Sequence, residues 1–231
     1  MSLWKRIGRA EQELDSYKDI GLSVFLTVLL ILSFGIFPFV DLHELSGRLV
    51  SLGFTGLFLA GSLIGDLGRG SRRVVLGLAI AGAVLTWVPA TASEEWLWIC
   101  RLAVSIVFIL VISVALLRQV FRPGEINWHR FRGATAVYVL MGFLLALGFV
   151  LLEGLAPGSF DGWAQQPRDH QIRDAVYFSF VTLTTLGYGD ITPIGEGARN
   201  LAVVEALIGQ IFLAILIGRL VTLSGQTEGD H

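Results

Sequence analysis

The run Thr182-Leu183-Thr184-Thr185-Leu186-Gly187-Tyr188-Gly189-Asp190-Ile191-Thr192-Pro193 holds the residues of this chain best placed to do chemistry, and that chemistry belongs to the main chain. Two alternating glycines permit backbone angles that turn successive carbonyls the same way, and a column of carbonyls can take the place of a cation's hydration shell. The apolar stretch Ala175 to Gly189 that carries the run is too short to cross a bilayer and ends in this Gly-rich turn, so it reads as a helix that enters the membrane and stops partway. Irregular backbone at that depth survives only when it is buried in protein or lines water. Gly-Tyr-Gly alone also suits a re-entrant anchor or a surface turn. The threonines before it, Asp190 after it and the apolar runs on either side favour the carbonyl ladder.

Something must hold that loop in a membrane, and six apolar stretches are available: Ile20 to Val40, Leu49 to Gly65, Val74 to Ser93, Trp96 to Leu117, Gly133 to Leu152 and Asn200 to Gly218. A crossing helix takes about 20 such residues. None of the runs alternates apolar and polar residues as barrel strands do, so the expected fold class is an all-α membrane protein with six transmembrane helices and one re-entrant helix. Lys5, Arg6, Arg9, Lys18, Arg69, Arg72, Arg73, Arg118, Arg122, Arg130, Arg132 and Arg219 all fall on one side of this layout, against Arg48, Arg168, Arg173 and Arg199 on the other. The positive-inside rule then puts both termini in the cytoplasm and the loop from Glu153 to Arg199 outside. Residues 1–19 read as a retained cytoplasmic tail, with Trp4, Ile7 and Leu14 near one face of an interfacial helix or within a frayed end.

Composition agrees with the span count. Of 231 residues, 54% are hydrophobic and 16% charged, with a formal net charge of −2; a soluble domain carries about 25% charged residues. Mean hydropathy is +0.69, which excludes disorder, and a pI near 6.1 argues against nucleic acid as a partner. Cys100 is alone, so no intrachain disulfide is possible. His43, His129, His170 and His231 are scattered, and the chain shows no metal-ligand spacing, phosphate-cradling loop or nucleophile constellation. An enzyme is not expected, nor a cofactor.

From about Ala134 to Leu223 the sequence resembles the potassium channel family, whose filter signature T-V-G-Y-G-D follows a pore helix. The resemblance implies K+ sites lined by the carbonyls of Thr185, Leu186, Gly187 and Tyr188 and by the Thr185 hydroxyl, with Gly189 and Asp190 at the outer mouth. Leu186 departs from the commoner Val; its side chain is expected to pack behind the filter. Tyr177 and Phe178 stand where many members place aromatics that brace the filter, a form of core packing. Val181 stands where some members carry a Glu that bonds the outer Asp, so Asp190 lacks that partner and the family's Glu-based inactivation is not expected. Gly209 falls where relatives often place a hinge glycine, though it serves equally as a packing residue. Gln210, Leu213 and Ile217 would follow toward the cavity and gate. One filter segment per chain implies a fourfold homotetramer in a plasma membrane, of the bacterial inner-membrane kind, whose partners are lipid, K+ and its own copies.

The resemblance also sets a layout: a four-helix domain over residues 20–122, a cytoplasmic linker over 123–133, a pore domain over 134–223 and a cytoplasmic tail over 224–231. Glu205 and Arg101 are the charges within spans. Glu205 should face the pore helix as a buried acceptor for hydroxyls such as those of Thr182 or Thr184. It is also the candidate proton sensor, with Asp190 and Glu196 as competitors. Arg101 should snorkel outward. At every third position after Arg101 stand Val104, Val107 and Leu110, so the gating-charge series of a voltage sensor is missing. The expected function is passive K+ conduction without strong voltage dependence. The alternatives are a poorly selective cation channel, or a non-conducting sensor or transporter subunit that reuses a filter-like loop. No second copy of Thr185 to Asp190 marks the inverted repeat that a transporter would show.

Overall fold

The computed structural model describes residues 24–31, 53, 55, 56, 58, 59, 69–88, 95–121, 128–163 and 168–227. Within them the chain is helical: α1 (Arg69–Trp87), α2 (Glu95–Val120), α3 (Trp128–Leu155), α4 (Arg168–Leu183) and α5 (Glu196–Thr227), with two short strands, β1 (Phe160–Asp161) and β2 (Thr192–Pro193). Three of these helices are long and apolar enough to cross a membrane: Trp96–Arg118, Phe131–Leu155 and Glu196–Gly218. They coincide with three of the six expected spans and make the chain a multi-pass membrane protein.

The expected spans Ile20 to Val40 and Leu49 to Gly65 lie largely outside the described residues, as does the N-terminal tail with Trp4, Ile7 and Leu14. The expected span Val74 to Ser93 corresponds to α1, which is not among the three helices that meet the length and hydropathy of a crossing. Its first turns carry Arg72 and Arg73, and Val88 has already left the helix ahead of Pro89, where the proline ring disfavours helical angles in the residue before it.

Helix α3 is the scaffold, packed against α2, α4 and α5. Its uncharged run from Gly133 to Leu152 is apolar all round, the pattern of a helix enclosed on several sides. Ala134, Val137, Leu140, Phe143, Ala146, Leu147, Phe149 and Val150 are buried. Of its apolar window 56% is buried, whereas the window of α5 is only 22% buried. Val203, Val204, Leu207, Ile208, Ile211 and Ile215 of α5 therefore stand open on the single chain. Such a surface needs lipid or another protein copy against it.

Helix α4 packs along α3, most tightly at Gly142. A Cβ at Gly142 would come within 2.8 Å of the Phe180 ring, so the missing side chain is what lets that ring in. Phe143 meets the same ring edge-to-face at 5.8 Å.

After α3 the chain folds back over the far end of α4. The Glu153 carboxylate accepts the backbone N–H groups of Gly158 (2.8 Å) and Ser159 (2.9 Å), fixing a turn in which Gly158 has φ of +85°. The strand that follows pairs antiparallel with the segment beyond Asp190, Phe160 opposite Pro193 and Asp161 opposite Thr192. Ile194 and Gly195 both donate to the Ser159 carbonyl. Phe160 and Phe178 each pack edge-to-face on Phe149, and Trp163 lies against Phe160 at 4.4 Å. Residues 159–163 thus form a strap, held by an aromatic cluster, across the outer end of the 184–190 loop.

Candidate functional site

Helix α4 stops at Leu183, as its Gly-rich continuation requires, and the chain turns on the Val181 carbonyl, which accepts the N–H of Leu186 at 2.9 Å. The C-terminal end of a helix carries partial negative charge, so the end of α4 offers a cation a favourable field beside Thr185. Beyond it the backbone alternates. Positive φ angles occur at Thr185 (58°), Gly187 (60°) and Gly189 (79°), while Leu186 and Tyr188 between them have none. Alternation between the two hands turns successive carbonyls toward one side, the arrangement a carbonyl ladder needs. Thr185 is β-branched, and such a residue at positive φ is an outlier held only where the surroundings over-determine it.

The sequence pointed to the two glycines but gave no sign of the third left-handed position at Thr185. The expected ladder residues Thr185, Leu186, Gly187 and Tyr188 and the mouth residues Gly189 and Asp190 are all exposed on the single chain. Leu186, expected to pack behind the ladder, is 56% exposed there.

Below the loop, Gln210 Nε2 donates to the Thr185 hydroxyl at 3.4 Å. Leu213 and Ile217 continue along α5, Ile217 with its side chain exposed. Gly209 lies against the end of α4. A Cβ there would come within 2.5 Å of the Leu183 carbonyl oxygen, which also accepts from the Tyr138 hydroxyl at 3.3 Å. This contact gives Gly209 the packing role by itself, whether or not the helix bends there.

Asp190 has a partner that the sequence did not disclose. The Tyr177 hydroxyl, one of the expected braces, donates to Asp190 Oδ2 at 2.7 Å. That bond holds the Asp190 carboxyl below its ordinary range and pushes the Tyr177 phenol up to about 12. Phe178, the other brace, is buried in the aromatic cluster with Phe149 and Phe160.

Glu205 faces α4 as expected, but its hydroxyl partner is Ser179 rather than Thr182 or Thr184. Ser179 Oγ lies 2.5 Å from Glu205 Oε1 and 2.7 Å from the Gly142 carbonyl oxygen. The Thr184 hydroxyl instead donates to its own helix, at Phe180 O. Glu205 thus meets the middle of α4 and not its end. Arg101 does not run free toward the headgroups: its guanidinium donates to the Val88 carbonyl at the end of α1.

Residues 139–224 match a family described as "Ion channel". Among relatives, "Two pore potassium channel c" of Oryza sativa subsp. japonica is 39% identical over 36% of this chain and 19% of its own length. "Protein LctB" of Bacillus caldotenax is 38% identical over 36% of this chain and 62% of its own. "Inward rectifier potassium channel Kirbac3.1" of Paramagnetospirillum magnetotacticum is 35% identical over 35% of this chain and 25% of its own. The match thus spans from about a fifth to somewhat under two thirds of these relatives. No solved structure matches at a significant level. The likeness to ion channels, a class without enzymes, falls on the segment from α3 to α5. Two of the relatives just named are potassium channels.

Proposed function

We propose that this chain conducts K+ passively across a plasma membrane as a fourfold homotetramer, with six spans and one re-entrant pore helix, α4, per subunit. Carbonyls of Thr185, Leu186, Gly187 and Tyr188, with the Thr185 hydroxyl, replace the water around the ion, and Gly189 and Asp190 form the outer mouth. The observation that carries this reading is the left-handed backbone at Thr185, Gly187 and Gly189, every second residue of the loop. Assembly is supported by the open apolar face of α5 and by the single Gly-Tyr-Gly in the sequence, since a ring of carbonyls needs several copies. Both termini lie in the cytoplasm. Residues 20–122 form the four-helix domain and 134–223 the pore. Voltage dependence is weak, because Arg101 is the lone basic residue well inside its span and is tied to Val88.

The test is cation flux from liposomes holding the purified chain. Parent protein should pass K+ in preference to Na+, and Gly187→Ala and Gly189→Ala should each abolish the preference or the flux. A Cβ at either position would meet open space in the single chain, so the penalty comes from the backbone, about 1–2 kcal/mol for a left-handed non-glycine residue. Normal K+ over Na+ preference in both variants would remove the assignment.

A further inference from the structure

Ser179 stands between two oxygens and has one proton for them. Its Oγ is 2.7 Å from the Gly142 carbonyl, which can only accept, and 2.5 Å from Glu205 Oε1. A hydroxyl donates once and accepts through its lone pairs; an ionised carboxylate only accepts. With Glu205 ionised, one proton would have to serve both oxygens, and one of the two close contacts would set lone pair against lone pair. With Glu205 in its acid form both contacts become hydrogen bonds.

The other carboxyl oxygen points the same way. Glu205 is fully buried, and its Oε2 has no hydrogen-bond partner. A buried carbonyl oxygen left without a donor costs far less than a buried anionic oxygen left without one. Among the described residues no cation faces this carboxyl: α4 presents Ser179 and α3 presents Tyr138, the one other titratable group within electrostatic reach.

We propose that Glu205 is a neutral proton donor, its carboxylic O–H donating to Ser179 Oγ and the Ser179 hydroxyl donating in turn to the Gly142 carbonyl, so that α5, α4 and α3 are joined by one directed chain of hydrogen bonds. Glu205 is then a positioning residue. It acts through Ser179 on the helix that ends at Leu183, one turn further along, where the 184–190 loop begins. The inference rests on these contacts alone and holds whether or not the chain conducts K+.

Infrared difference spectroscopy of the full chain in lipid at neutral pH tests it, because exposed carboxyls are ionised there. Parent minus Glu205→Gln should show the C=O stretch of a protonated carboxyl, shifted in D2O. Ser179→Ala should move that band to higher wavenumber, since the acceptor is gone. Glu205→Gln retains a donor in its amide and should melt near the parent temperature, while Glu205→Ala should melt lower. A difference spectrum showing the paired stretches of a lost carboxylate, with no protonated C=O band, would overturn the proposal. If Glu205→Gln does not fold, Ser179→Ala decides alone: a protonated-carboxyl band that shifts supports the chain, and an absent or unmoved band overturns it.

Discussion

The hydrogen bond from Tyr177 to Asp190 gives the end of the 184–190 loop, the outer mouth in the proposed pore, a definite response to acid. Asp190 is held below its ordinary 3.8 by this bond, so the stabilisation it supplies is complete above that value and is lost only as pH falls through the lower folded value. Tyr177, raised from 10.0 to about 12, remains a donor until the pH climbs through that range. Asp190 is therefore excluded as the origin of any response between about pH 5 and 8. Tyr177→Phe removes the donor, and the acid midpoint for loss of K+ current should move to higher pH than in the parent; an unmoved midpoint would show that the bond does not secure the mouth. The sequence made Gly187, Gly189 and the buried place of Glu205 readable, since those follow from residue type and helical spacing. It could not show that Tyr177 reaches Asp190 or that Ser179 replaces Thr182 and Thr184, because a side chain's reach across a turn and the height of one helix against another are settled only by packing.

Between elements, two glycines separate the effects of packing and flexibility in α5. Gly209 abuts the Leu183 carbonyl, whereas a Cβ at Gly218 would meet nothing within 4 Å. Gly209→Ala should destabilise the fold by about 1–3 kcal/mol through overpacking, and should disturb the loop that starts just beyond Leu183. Gly218→Ala should be neutral or stabilising by up to about 1 kcal/mol through helix propensity. Thermal melting of the two variants in detergent checks the pair; equal melting temperatures would return Gly209 to the role of a simple hinge. The strap makes a parallel case. A Cβ at Gly162, whose φ is +75°, would fall 2.0 Å from the Asp190 carbonyl oxygen. Gly162→Ala should therefore displace the outer mouth and weaken K+ preference over Na+, whereas Gly158→Ala, with φ of +85° and open space around it, should leave selectivity near the parent value. The long helices α2, α3 and α5 were legible from their apolar length, broken by a single charge in α2 and in α5. The strap was not, because two-residue strands and an aromatic cluster spread over Phe149, Phe160, Trp163 and Phe178 leave no periodic signal.

At the scale of the whole molecule, α3 is well buried and α5 is open, and the proposed tetramer would cover the apolar face that α5 leaves exposed. The first helices lend support where Arg101 binds Val88 and where Trp98 covers Gly154, whose Cβ would come within 2.6 Å of the indole. Neither contact is a gating charge series, so Arg101→Gln should leave the conductance-voltage relation nearly unchanged; a steep curve that flattens in the variant would reassign these helices as a sensor. Selection of K+ by the 184–190 backbone is open to one decisive experiment, the reversal potential of the purified chain in a planar bilayer with K+ and Na+ on opposite sides. Reversal should fall close to the K+ equilibrium potential; reversal near zero, with K+ and Na+ passing equally, would refute that selection.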